Sequence, residues 1–416
     1  MKRKTKAVVF MAALLVPGVF SQTVLAGGID NKQNFSAKYV ATGSRNAATD
    51  SVDIATYNPA GIMFQQDGLS LGVDAHYIFK NYEQQYISVN PPGLVNREQD
   101  EPSLIPALFG TYKSGNWGVF GSFTVSGGGG TVEYENGNTI TNDIALLLGG
   151  APLTNQRIKA ESYYLTYALG GSYKINDMFS VAAGVRYLDA TKDVKANANT
   201  PTIAGAYEED ADGWGWMTSV NIKPSDALLF AIRYESQVDL EFTTKVKGST
   251  NMLGGMVLAA LNKTQNAKSD RDLPALLGLG ASWDVMDRLN LNTSFTYYFE
   301  ENADWGGLED KVDNSYDLAV SATYGFLDNL RGSIGYMYTN VGIDAKDFGL
   351  TEKMSPVLDA HSFFCGLGYD FSEMITVDLG VMINFYEEET GVDAVGRPVT
   401  YDKQNTAIAL GVNFKF

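Results

Sequence analysis

The chain has 416 residues with 31 basic and 48 acidic side chains, a formal net charge of −17, which argues against nucleic acid as a ligand. The single Cys365 excludes a disulfide framework and a cysteine-based metal site, and two histidines, His76 and His361, leave little for histidine-centred zinc or hydrolytic chemistry. Gly, Tyr and Phe are abundant (43, 23 and 21) while mean hydropathy is slightly negative, a combination expected where only alternate residues face lipid.

Lys2, Arg3, Lys4 and Lys6 precede an apolar stretch from Ala7 to Phe20, and Val24, Leu25 and Ala26 supply small residues before a cut. Residues 1–26 therefore read as a secretory signal peptide. No later segment has the roughly 18 unbroken apolar residues of a spanning helix, so a membrane crossing would require a closed barrel.

Residues 27–67 show no alternation, yet Phe35, Tyr39, Ile54, Tyr57, Ile62, Met63 and Phe64 give them apolar anchors. Such a segment is expected to fold inside something, as a hatch in a lumen. Residues 68–416 are expected to form the barrel. In Leu289 to Phe299, for example, Leu289, Leu291, Phe295, Tyr297 and Phe299 oppose Asn290, Asn292, Ser294 and Thr296. Period two over such lengths means strands with one greasy face. A soluble sandwich also alternates, but its strands usually run about 5 to 6 residues.

Strand cores fall near 69–82, 103–113, 116–126, 157–174, 178–194, 206–223, 226–242, 273–284, 288–301, 314–326, 329–342, 358–371, 374–388 and 401–416. The fold class is thus all-β: a 14-stranded antiparallel transmembrane β-barrel with an N-terminal hatch and short helices in extracellular loops. Six short turns alternate with seven long connections, placing both barrel ends on the periplasmic side. In the last strand Ile408, Leu410, Val412, Phe414 and Phe416 face lipid, and Ala409, Gly411, Asn413 and Lys415 face inward.

Two long loops carry greasy helices. Leu146, Leu147 and Leu148 follow a cap at Thr141, Asn142 and Asp143 and precede Gly149 and Gly150. Leu253, Met256, Val257, Ala260 and Leu261 recur at spacings of three and four. The third strand runs from Trp117 into Gly127, Gly128, Gly129 and Gly130, which permits a bend as readily as a flexible loop start. By parity Arg186, Arg233 and Arg331 point into the lumen. They could take a ligand carboxylate, or pair with inward acids such as Asp74, Glu235, Asp317 or Asp378.

The plug-like N-terminus, the Asn58, Pro59, Ala60, Gly61 motif, the strand count and the two helix-bearing loops resemble the FadL-type transporters, outer-membrane channels for long-chain fatty acids and hydrocarbons. The motif alone also suits a turn. The resemblance implies passive uptake of a hydrophobic small molecule. It would enter a groove between the loop helices (Leu146, Leu147, Leu148, Leu253, Met256, Val257, Leu261) and pass to a lumen pocket against the hatch motif (Asn58, Pro59, Ala60, Gly61). It would leave sideways at the third-strand glycines (Gly127, Gly128, Gly129, Gly130), with Arg186, Arg233 and Arg331 as carboxylate contacts. The expected partners are that ligand, outer-membrane lipid and lipopolysaccharide, and the barrel assembly machinery. The protein would be a monomer in the outer membrane of a Gram-negative bacterium, with no cofactor, no metal, no nucleic acid and no enzymatic activity. A diffusion porin for polar solutes is the competing function.

Overall fold

The structure, a computed structural model, describes residues 28–87, 95–98, 102–147, 156–198, 203–249, 258 and 261–416. Fourteen long antiparallel strands close a barrel: β1 Gly68–Tyr86, β2 Ser103–Ser114, β3 Trp117–Tyr134, β4 Arg157–Lys174, β5 Phe179–Ala198, β6 Ile203–Ser225, β7 Leu228–Glu235, β8 Leu276–Met286, β9 Leu289–Tyr298, β10 Ser315–Leu327, β11 Leu330–Asn340, β12 Ala360–Ser372, β13 Ile375–Tyr386 and β14 Pro398–Lys415. Closure is by β1 on β14, in register from Ser70–Lys415 to Tyr86–Val399. Closure lets neighbouring strands satisfy one another's backbone groups in lipid.

Alternation places the greasy side chains outward. Val73, Leu169, Val185, Ile334, Leu367 and Leu410 are exposed, as a lipid-facing band must be. Aromatics collect at its two margins: Tyr112, Trp117, Tyr173, Trp283 and Phe371 beside the short turns, and Tyr77, Tyr167, Trp214, Trp216 and Phe385 at the other end. The amphipathic rings of Tyr and Trp suit a headgroup interface. Ala407 and Ala409 are fully buried while Ile408 and Leu410 are exposed, so the last strand has the parity read from its sequence.

The six short turns stand where expected, but β5 and β6 run higher than their greasy cores. Asp193, Lys195, Glu208 and Asp210 continue the ladder there, with charged residues outward, so only residues 199–202 separate strands that the sequence had joined by a long loop. Backbone pairing does not need a lipid-facing pattern, and a strand can outlast the membrane.

Residues 28–64 fill the lumen as a hatch and are almost wholly buried. Its helix α1, Ala37–Thr42, is capped by Ser36, whose hydroxyl accepts from Tyr39 N at 3.0 Å, and by Gly43 in the left-handed region at φ 67°. The carboxylate of Asp74 in β1 accepts from Ala37 N at 2.6 Å, at the positive end of that helix. The helix lies so close to the wall that a Cβ on Gly380 would stand 2.4 Å from Ala37 O, and one on Gly366 2.3 Å from Ala41 Cβ. A short helix α2, Ile54–Tyr57, and a 3-10 turn, Pro59–Phe64, complete the hatch.

Candidate conduit and its hatch

The hatch motif is pinned from three strands. Ser172 of β4 donates to Pro59 O at 2.7 Å, Ser180 of β5 donates to Ala60 O at 2.8 Å, and Ala60 N donates to Ser219 of β6 at 2.9 Å. Asn58 Nδ2 donates to Ala48 O at 2.9 Å, and Gly61 N to Asn58 O at 2.8 Å, closing the turn on itself. A Cβ on Gly61 would approach Asn58 Nδ2 to 2.7 Å, which is why the residue after Ala60 must be small. The three arginines expected in the lumen serve the same end or the wall. Arg233 donates to Thr56 O and Gln33 Oε1, each at 2.7 Å, and pairs with Glu235 at 3.1 Å. Arg186 pairs with Glu235, and Arg331 with Asp370 and Asp378 at 2.9 and 3.2 Å. All three cations are therefore engaged by protein groups, as buried charges require.

Above the hatch lies a cavity of about 320 Å³. Val132, Ile158, Ala160, Leu261, Leu350, Met354 and Val357 give it apolar walls, Ile29, Asp30 and Lys32 of the hatch close it below, and Gly128 and Gly130 of β3 form one side. A mainly apolar cleft with a few polar groups is the usual form of a small-molecule site. Most of its charges are paired: Arg271 with Asp30 and Glu352, and Lys263 with Glu209 at 2.6 Å. Lys192 differs. Its ammonium stands 3.9 Å from the Phe242 ring centroid, and among the described residues no carboxylate lies within ion-pair distance.

The roof is built by α3, Thr139–Leu147, and α4, Leu350–Met354. Ile140 and Ile144 pack with Val132, Tyr134, Ile158 and Met354, and Leu261 and Leu350 flank that cluster. Asp143 pairs with Lys353 at 2.8 Å, tying the two helices together. The α3 cap is Asn138, whose side chain accepts from Ile140 N at 3.0 Å, earlier than the expected Thr141 to Asp143 start. Leu146 and Leu147 lie in α3, but their side chains, like Leu148, Leu253, Met256 and Val257, fall outside the described residues. Of the expected groove residues, Leu261 is the one the structure places on the cavity. Helix α4 was missed because five residues are too few to show a helical period.

β3 is irregular at the expected glycines. Its register on β4 slips between Val125 and Gly127 and again between Gly127 and Gly130, with Gly128 at φ 91° and Gly130 at φ 66°. A Cβ on Gly128 would come within 2.3 Å of Ser162 O. Only glycine adopts such backbone without strain. The pairing of β2 with β3 extends from Ser114–Trp117 only to Leu108–Phe123, although both strands continue beyond it. Among the described residues that leaves the two strands unpaired there, a side opening in the backbone ladder of the wall. The hatch lies along it: Lys32 N donates to Ser126 O at 2.8 Å, at the free edge of β3.

Below the hatch is a second cavity, about 360 Å³, lined by Lys38, Arg45, Asp50, Asn290, Asn292, Arg331 and Asp378. Its lining is mixed, with more polar and charged groups relative to apolar ones than in the upper cavity. His76 and His361 are far from each other's chemistry: His76 is buried in the β1 wall, and His361 sits on the barrel exterior, 2.7 Å from the Tyr336 hydroxyl.

The model of the outer membrane protein transport family (OMPP1/FadL/TodX) matches residues 18–416. A 47 kDa outer membrane protein of Pasteurella multocida is 24% identical over 409 residues, covering 89% of either chain. Among solved structures, a FadL homologue of Pseudomonas aeruginosa superposes with a TM-score of 0.70 at 15% identity, covering 93% of this chain and 99% of the other. The toluene transporter TodX of Pseudomonas putida gives 0.68 at 12% identity with the same coverage. At these identities the structural likeness speaks to the fold.

Proposed function

The chain belongs to the outer membrane protein transport family (OMPP1/FadL/TodX), and from that premise we propose that it admits hydrophobic molecules passively through the outer membrane and releases them sideways into the bilayer. The observation that supports this reading is the placement of the upper cavity: helix α4 lines its roof, Gly128 and Gly130 of the irregular β3 line its side, and the hatch closes it toward the periplasmic side. Sugars at the cell surface oppose direct partition of greasy molecules, so a protein cleft that shields them lowers the barrier. Lateral release returns the molecule to hydrocarbon without rehydrating its apolar surface in the periplasm. The similar structures include a transporter named for toluene, and the family description names FadL, so hydrocarbons and fatty acids both belong to the cargo class considered.

The cavity favours a cargo with an anionic head. Lys192 is the ammonium at its wall with an aromatic ring for a partner in place of a carboxylate. A carboxylate entering head-first would gain a charge-assisted hydrogen bond there, while its tail met Val132, Ile158 and Leu350. Long-chain fatty acid is the cargo this arrangement suits best. The test compares palmitate with hexadecane, by direct binding and by uptake in cells carrying Lys192→Met. Palmitate should lose roughly tenfold in affinity, about 1.4 kcal/mol, and hexadecane should be unaffected. Equal losses for both, or none for either, would overturn the fatty-acid assignment.

A further inference from the structure

The side opening is crossed from within by a strand that does not border it. On β1, Ile78 faces Ser103, the first residue of β2, and higher up residues 95–98 of the connection take the place of β2 along that edge of β1. There the Lys80 side chain reaches inward and its ammonium donates to the carbonyl of Thr131 on β3. Glu98, from the connection between β1 and β2, accepts from the same ammonium at 3.2 Å, and both side chains are fully buried. The backbone of that connection is itself fixed to β1, because Glu98 N donates to Tyr82 O at 3.0 Å and Glu83 is in register with Arg97. One turn of alternation higher, Gln84 Nε2 donates to the Tyr134 hydroxyl at 3.2 Å, a second contact from β1 to β3.

We propose that Lys80, seated by Glu98, is a latch that ties β1 to β3 behind the side opening and holds the outer half of β3 in place between passages of cargo. The inference rests on lateral release as the exit route, and it assigns that route a specific holding contact. The chemistry suits the role. A buried charge-assisted bond to a backbone carbonyl is strong while dry, yet it is a side-chain contact rather than a backbone ladder. Breaking it frees the edge of β3 without unpairing β3 from β4, where Thr131 stays in register with Glu161. The hatch holds the same edge lower down through Lys32 and Ser126. Opening therefore requires release at both levels, the upper through Lys80 and Gln84 of β1 and the lower through the hatch.

The latch is tested by hydrogen exchange of the full chain in lipid nanodiscs, read over residues 124–134. Lys80→Met should speed exchange there about tenfold, with the β5–β6 ladder unchanged as an internal reference. Glu98→Gln, which keeps a neutral partner for the ammonium, should give a smaller rise of about threefold and serves if Lys80→Met assembles poorly. Exchanging the pair, Lys80→Glu with Glu98→Lys, restores the charges but not the bond, because a carboxylate cannot donate to Thr131 O. Exchange in the swapped protein should stay fast. Unchanged exchange in Lys80→Met and Glu98→Gln, or protection regained on swapping, would overturn the latch. Uptake measured on the same variants judges the exit route separately: faster exchange over 124–134 without faster uptake removes lateral release while leaving the latch intact.

Discussion

Glu300 shows how a single residue links the hatch to the medium. It is fully buried just beyond β9 and accepts from Ile29 N of the hatch and from the Ser315 hydroxyl. Burial pushes its carboxyl up from the ordinary 4.5 to about 7, although the bonds from Ser315 and Ile29 pull the other way. Between those values the folded protein holds a proton that the unfolded chain would release. The contribution of Glu300 is thus complete below about pH 4.5 and declines as pH rises through about 7. Lys32, lowered by burial to about 8, has the opposite sign and gains as pH rises through that value. The prediction is that residues 28–32 exchange amide hydrogens faster at pH 7.5 than at pH 5.5, after correction for intrinsic rates, on the order of tenfold. Glu300→Gln should flatten that dependence. A slope that survives the substitution would place the titration elsewhere.

Among the elements, the hatch is held at both of its ends by different physics. The α1 end is seated by shape, against Gly366 and Gly380, and by the Asp74 carboxylate. The motif end is seated by Ser172, Ser180 and Ser219. Each such hydrogen bond is worth about 0.5–1.5 kcal/mol net, so replacing the three serines by alanine should loosen the motif end by about 3 kcal/mol. The expected result is protease cleavage within residues 58–66 of a barrel that keeps its heat-modifiable migration. Resistance equal to the parent would mean that the α1 end alone secures the hatch. None of these contacts could be read from the sequence. The wall strands announced themselves by period two, and the greasy N-terminus by its anchors, but a serine on an inward face looks the same whether it meets water, another strand or Pro59 113 positions away. The glycines at 127–130 were visible as a weakness in β3. That the weakness is a loss of β2–β3 pairing depends on register, which period two does not fix beyond the choice of face. Arg186, Arg233 and Arg331 had the expected parity and found Glu235 and Asp378 among the inward acids expected for them, while Asp370 and the choice of which acid meets which arginine became legible only in space.

At the scale of the whole molecule, two cavities of different character are divided by the hatch: about 320 Å³ of mainly apolar space above and about 360 Å³ with a more polar, mixed lining below. A diffusion porin would join them into one aqueous path. Here Phe35, Tyr39, Ile54 and Tyr57 instead form one buried cluster with Phe109, Phe120 and Phe364 of the wall, packing apolar side chains across the lumen at that level. The barrel itself is closed by the β1–β14 ladder, which the hatch does not join, so wall and plug can be separated by experiment. Deleting residues 27–67 should yield a barrel that still inserts and closes but conducts ions steadily in planar bilayers. The intact chain should show little steady conductance. Selectivity should change in parallel: with the floor of the upper cavity gone, small polar solutes should enter and the preference for a hydrophobic cargo should fall. Large steady conductance in the intact chain would favour a porin for polar solutes. Unchanged uptake and selectivity in the deletion would show that the hatch does not govern passage, even though it fills the lumen.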